Sequence, residues 1–337
     1  MQVREYVGRR LFKLPLIMIA MSILIFGISR IGASPIGIYL EHEMTPAEVV
    51  ELEERFNLND SLPEQYWAWA TGVVRGDLGW SGVSTAPVSD VLWKFTAASM
   101  ELALVAAAFG IVAGIGLGTY AGSRRDKPGD HITRIIAISG ASLPLFWLAL
   151  LVLIFFYVIL GWAPTGRYDV NTWETISHPT GFYTVDALLN GSWTAFGDAL
   201  SHLWLPALVL AYGAMGPIAR IMRSSLVDEL EKDYVDAARA KGLPERLVIG
   251  RHARRNAMIP TVTVIGHAFG HLLQGSVVIE LIFQWPGIGR WIATAVLRGD
   301  QATILAFVLI TSVIFLTVNL IVDVLYAYLD RRVELGT

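Results

Sequence analysis

Six long apolar blocks constrain this chain more than any motif in it. They run from about Leu11 to Ser29, Ala98 to Tyr120, Ile132 to Leu160, Leu203 to Met222, Ile259 to Phe283 and Ile304 to Leu329. A helix rises 1.5 Å per residue, so about 20 apolar residues cross the hydrocarbon layer of a bilayer. Backbone groups in lipid must bond one another, and unbroken rather than alternating apolar runs select helices over a barrel. The expected fold class is therefore an all-α integral membrane protein with six transmembrane helices. Composition agrees, since 54% of the 337 residues are apolar and only 16% are charged; an ordinary soluble domain is excluded. There is no cysteine, which rules out disulfides and thiolate metal sites. No Gly-x-x-x-x-Gly-Lys-Ser/Thr run occurs, so the chain has no phosphate-cradling loop of its own.

The first block is led by Arg4, Arg9, Arg10 and Lys13, with Gly32-Ala33-Ser34 beyond it. That arrangement also suits a cleaved secretory signal, but the apolar stretch is long for one, and a retained first helix over residues 1–30 is expected. Residues 31–97 are acidic, with Glu41, Glu43, Glu48, Glu51, Glu53, Glu54, Asp60, Glu64, Asp77 and Asp90. Thr45-Pro46-Ala47-Glu48 and Ser61-Leu62-Pro63-Glu64 both have the form of a capping box with an early proline. Two short amphipathic helices are expected there, then a turn at Arg75-Gly76-Asp77-Leu78-Gly79, making a small helical insertion on the membrane surface. In the second block Gly110, Gly114, Gly118 and Gly122 recur every fourth residue, giving a flat helix face for close packing against another helix. The third block is expected to kink at Pro144. The aromatics of residues 161–202 (Trp162, Tyr168, Trp173, Phe182, Tyr183, Trp193 and Phe196) are expected to form an interfacial belt.

Lys and Arg concentrate around the amino terminus, at the junction of the second and third blocks (Arg124, Arg125, Lys127, Arg134), between the fourth and fifth, and at Arg331 and Arg332. The positive-inside bias then places both termini and the loop of residues 223–258 in the cytoplasm, and the 31–97 insertion outside it.

That 223–258 loop carries the most specific pattern. Asp233 to Pro260 reads DYVDAARAKGLPERLVIGRHARRNAMIP. Tyr234–Lys241 is rich in helix formers, with Gly242 as a stop and Pro244 behind it. Val235, Ala238 and Arg239 fall on one face by spacing, a second basic helix is expected from Pro244 to Asn256, and Pro260 is expected to open the next apolar segment. Asp236-Ala237-Ala238, then Gly242, then Ile259-Pro260 resembles the ATPase-docking loop of binding-protein-dependent ABC importer permeases. Tyr234, Arg239, Lys241, Arg251, His252, Arg255 and Asn256 are similar to the dipeptide/oligopeptide (and nickel) subfamily. Ala163-Pro164-Thr165-Gly166-Arg167 and Trp285-Pro286-Gly287-Ile288-Gly289 resemble further elements of it. Asp236 stands for the usual Glu, and Met258 where Leu often sits; charge and helix break survive both changes.

The resemblance spans the chain and implies a type I permease: an amino-terminal helix, the 31–97 insertion, and a five-helix core over 98–332. It implies a coupling helix formed by Asp233, Tyr234, Val235, Asp236, Ala237, Ala238, Arg239, Ala240, Lys241 and Gly242. It also implies a homologous second permease, two cytoplasmic ATPases that hold ATP and Mg, and an extracytoplasmic solute-binding protein. The chain itself would bind no cofactor, catalyse no reaction and meet lipid but no nucleic acid. Its expected function is to form half of an inner-membrane path for peptides; nickel chelates and oligosaccharides are alternative cargoes.

His267 and His271 stand four apart in the fifth block with Gln274 on the same face. Polar side chains at membrane depth face a cavity or a partner helix, so these three are candidates for a translocation path, with helix–helix hydrogen bonding the competing reading. Metal binding is disfavoured, because His-Ala-Phe-Gly-His lacks the glutamate of a zinc hydrolase and no third ligand is evident. A rival of another class is a proton-coupled secondary transporter using His267, His271 and Glu280 as relay groups. No inverted repeat in the blocks supports it.

Overall fold

The computed structural model describes residues 3–32, 45–55 and 58–329, and it is helical almost throughout. The first helix, α1, is Val3–Gly32. Two short helices follow, α2 (Pro46–Arg55) and α3 (Leu62–Val74), and a two-residue hairpin of β1 (Trp80–Ser81) and β2 (Ala86–Pro87). Both capping boxes form: Glu48 accepts from the Thr45 amide at 2.7 Å and Glu64 from the Ser61 amide at 3.0 Å. Asp300 fastens the hairpin, accepting from Ser81 Oγ at 2.9 Å and the Val83 amide at 3.1 Å.

Five further long or paired helices make the core. α4 is Val88–Gly122, α5 is Pro128–Ser142 and α6 is Leu145–Leu153, which runs on into a π-helical turn, Ile154–Ile159. After the short α7 (Val170–Trp173) and α8 (Tyr183–Leu189) comes α9, Trp193–Leu230. Then follow α10 (Asp233–Ala240), α11 (Glu245–Leu247), a second π-helical turn at Val248–Ala253, and α12 (Arg254–Ile282). The chain closes with α13 (Ile288–Arg298) and α14 (Gln301–Leu329). Among the described residues three helices are long and apolar enough to cross a membrane, α4, α9 and α14, and a fourth if α5 and α6 count as one broken span.

The centre of the molecule is the parallel contact of α4 with α9. A Cβ added at Gly110 would lie 3.1 Å from the Ala211 carbonyl oxygen, and one at Gly114 2.7 Å from Ile218 Cγ2. At Gly118 it would lie 2.6 Å from the Ala219 oxygen, and at Gly122 3.0 Å from Leu226 Cδ2. Each step of four on α4 meets a matching step on α9, so the missing side chains make room for the α9 backbone at Gly110 and Gly118 and for Ile218 and Leu226 at Gly114 and Gly122. With no hydrophobic drive between helices in lipid, such close backbone packing supplies the attraction. Around it lies the main core, Leu102, Ala106, Leu203, Ala207, Leu210, Ile218, Ile279, Phe283 and Trp285 among its members.

Two expectations are corrected. Pro144 does not merely kink the third span: α5 and α6 meet at 102°. The residue before proline is forced from helical backbone, and Leu143 at φ −77°, ψ 131° is extended. Nor is there a helix break at Pro260, where the apolar segment opens. It lies inside α12, and the helix is unbroken from Glu245 to Ile282. Proline leaves a carbonyl one turn earlier without its amide, yet stopping the helix would leave several groups unbonded. The adjoining Thr261 hydroxyl donates to the Ala257 carbonyl at 2.8 Å and steadies the turn.

The 161–202 segment also differs from a plain interfacial belt. Trp162 and Trp193 are exposed, but Trp173 stacks on Tyr168 at 4.2 Å and on His178 at 3.5 Å, over the buried Tyr183. Arg167 ties this segment to α4, donating to Glu101 at 2.6 Å in a fully buried pair. Glu101 also accepts from the amides of Tyr183 at 3.2 Å and Thr184 at 2.7 Å.

Candidate functional site

α10 is a two-sided helix. Val235 and Ala238 are buried against Met222 and Leu226 of α9 and against Val248, Ala253 and Ala257. Asp233, Tyr234, Asp236, Ala237, Arg239, Ala240, Lys241 and Gly242 are exposed. Asp233 and Asp236 lie in the first turn, where carboxylates complement the helix dipole. Arg239 does not join Val235 and Ala238 in the core as its spacing suggests. It stands at the rim, donating to Glu245 at 2.8 Å and to Asp236 at 3.2 Å, and its guanidinium holds the Glu245 carboxyl below the usual carboxylate range. The Tyr234 hydroxyl donates to Glu229 at 2.5 Å and accepts from Asn256 at 3.0 Å. Partial burial, then the bond to Glu229, raises the phenol above its ordinary range.

The far end of α10 is closed by a Schellman arrangement. The Gly242 amide donates to the Arg239 carbonyl at 2.9 Å and the Leu243 amide to the Ala238 carbonyl at 3.3 Å. Gly242 sits at φ +76°, the left-handed backbone such a stop requires and one that residues with a Cβ resist. The result is a short, rigid helix whose inner face is anchored and whose outer face presents small alanines between charges.

His267 is elsewhere, about midway along α12. It lines a cavity of about 410 Å³ together with Gly140, Leu143, Leu210, Gly213, Pro217 and Leu272, among others. His267 is the one titratable group among those lining residues. His271 and Gln274 continue the α12 backbone, but their side chains lie outside the described residues. The structure thus separates the sequence candidates into three places: the α10 face, the cavity wall, and the glycine row between α4 and α9.

Glu280 stands apart from that cavity. It is fully buried, accepts from Ser99 Oγ at 2.5 Å and from the Arg290 amide at 3.0 Å, and Ser99 in turn accepts from the Ile288 amide at 2.8 Å. A Cβ at Gly287 would lie 2.4 Å from Glu280 Oε2, so the Trp285–Gly289 turn wraps directly on the carboxylate. Trp285 Nε1 completes the clasp by donating to the Ala98 carbonyl at 3.0 Å. These bonds fasten α12 and α13 to α4. Nothing in the sequence marks Ser99 as its partner, 181 residues away.

Comparison with known proteins adds to this geometry. Residues 114–335 match the family described as binding-protein-dependent transport system inner membrane component. A dipeptide transport system permease of Alkalihalophilus pseudofirmus is 36% identical over 330 residues, covering 98% of this chain and 99% of the relative. A probable D,D-dipeptide transport system permease of Escherichia coli K12 is 37% identical, covering 97% of each. A glutathione transport system permease of Pectobacterium atrosepticum is 33% identical, covering 98% of each.

Proposed function

The chain belongs to the family of binding-protein-dependent transport system inner membrane components and is a permease subunit of an ABC importer; from this we propose that it forms half of a membrane path for short peptides. The dipeptide and glutathione systems of its relatives favour peptide cargo over nickel chelates or oligosaccharides. It would act with a homologous second permease, two cytoplasmic ATPases that bind ATP and Mg, and an extracytoplasmic binding protein that delivers the peptide.

In this reading α1, α4, the α5–α6 pair, α9, α12 and α14 are six spans, with both termini and α10 in the cytoplasm and residues 31–97 outside. The observation that carries the coupling role is α10 itself. Its buried Val235 and Ala238 join it to α9 and to the helix that becomes α12, while its other face is left to a partner. An ATPase that grips this face differently in its two states would shift α9 and α12 as bodies, which is how differential affinity drives a switch. The apolar cavity at His267 lies between α5–α6, α9 and α12, so such a shift would change its opening. With His267 the one titratable group among its described lining residues, it would offer a peptide passage without strong charge capture.

Gentle affinity purification from the native membrane tests the assembly. Recovery of a second permease, ATPase subunits and a binding protein is expected. A chain recovered alone that transports peptide after reconstitution without ATP would overturn it in favour of a secondary transporter.

A further inference from the structure

The helix that joins α10 to the cavity contains one turn with the wrong period. It runs unbroken from Glu245 to Ile282, but Val248–Ala253 is π-helical. In a regular α-helix residues five apart point about 140° from one another. The i→i+5 bonding of a π turn brings them close to one azimuth. Here Val248 and Ala253 are both fully buried in the cluster that holds Val235 and Ala238 of α10. Ala257 follows at the normal spacing of four and is buried in the same cluster. The π turn therefore aligns Val248, Ala253 and Ala257 in one row beneath the docking helix. With α-helical spacing throughout, Ile249 would take Val248's place; instead Ile249 is only half-buried, at the edge of the cluster.

The surplus residue has a consequence beyond packing. The same helix carries His267 onto the cavity wall and Glu280 into its clasp on Ser99. One residue more or less below Arg254 changes the rotation between α10 and all of those positions by about 100°. Space does not force the glycine within the turn, since a Cβ at Gly250 would meet nothing within 4 Å. What matters at this place is residue count. π turns inserted in α-helices recur at functional positions, and this one sits on the single continuous connection between α10 and α12.

We propose that the Val248–Ala253 π turn is the joint through which movement of α10 reaches the cavity-lining helix, its one extra residue setting the rotational register between them. This rests on the docking role of α10 given above. The test uses the complete transporter with its partners, reconstituted in vesicles, and reads peptide uptake per ATP hydrolysed. Deleting Gly250 closes the turn into α-helix; the complex is expected to hydrolyse ATP while uptake is lost. Gly250→Ala keeps the count and is expected to keep uptake. Normal uptake per ATP in the deletion, or equal loss in Gly250→Ala, would overturn the proposal.

If the deletion does not accumulate in membranes, Val248→Ser and Ile249→Ser decide instead. The first is expected to lower uptake per ATP and the second to leave it intact, and equal ratios would count against the joint. Failure of the unaltered chain to retain ATPase subunits would sink the docking role itself, an outcome separate from normal coupling in the deletion.

Discussion

Gly242 shows how much one backbone position can control. Its φ of +76° lets two amides close α10 onto the carbonyls of Arg239 and Ala238. A residue with a Cβ in left-handed backbone costs about 1–2 kcal/mol, and a β-branched one more. Gly242→Val is therefore expected to unwind the end of α10 and to depress uptake while the chain still inserts in the membrane, with its amount checked by immunoblot. Normal uptake by that variant would argue against a coupling role for α10. Gly242 was legible in the sequence because a glycine before a proline and after a helix-forming run has few other meanings. The buried carboxylates were not legible. Glu101 finds Arg167 at a separation of 66 residues and Glu280 finds Ser99 at 181, and no local pattern encodes either meeting. The structure lends no support to Glu280 as a relay group: its donors, Ser99 and the Arg290 amide, come from elements that fold beside it only in three dimensions.

At the scale of elements, the apolar blocks located the long helices, since helix is the only open-chain answer to an apolar run in lipid. The fourfold glycine repeat likewise marked a packing face, and the structure lays all four of those glycines against α9. Gly118→Leu tests how strict that contact is. Its first atom would fall 2.6 Å from both the Ala219 oxygen and Met222 Cβ, and the backbones must part to admit it, at a cost of roughly 1–3 kcal/mol or more for an overpacked contact. A lower melting temperature in detergent is expected, whereas Gly116→Leu, at a position with nothing within 4 Å, should melt as the unaltered protein does. Equal melting of the two would show that α4 and α9 are not held by this face. What the blocks concealed were departures from regular period. The break at Ser142–Pro144, the π turns and the run of α12 through Pro260 depend on which neighbours satisfy a displaced backbone group. Residue type alone carries little of that information.

On the scale of the whole molecule, the proposal makes α10, with one face anchored and one exposed, the place where the helical core meets its ATPase. One end of the core is fixed by carboxylate clasps, Glu280 on α13's turn and Glu101 on the segment holding Arg167. At the other end α10 is the projecting piece, with Ala237 and Ala240 exposed and unused by the chain's own packing. Small residues on an exposed helix face allow close approach of a partner, and a large or charged group there obstructs it without disturbing the fold. The measurement that tests this most directly is uptake and ATP hydrolysis by the reconstituted complex carrying Ala237→Glu. The expected result is a chain that inserts and melts normally but retains less ATPase and loses ATP-driven uptake. Full ATPase retention with unaltered uptake would contradict the claim that the outer face of α10 is where the ATPase takes hold.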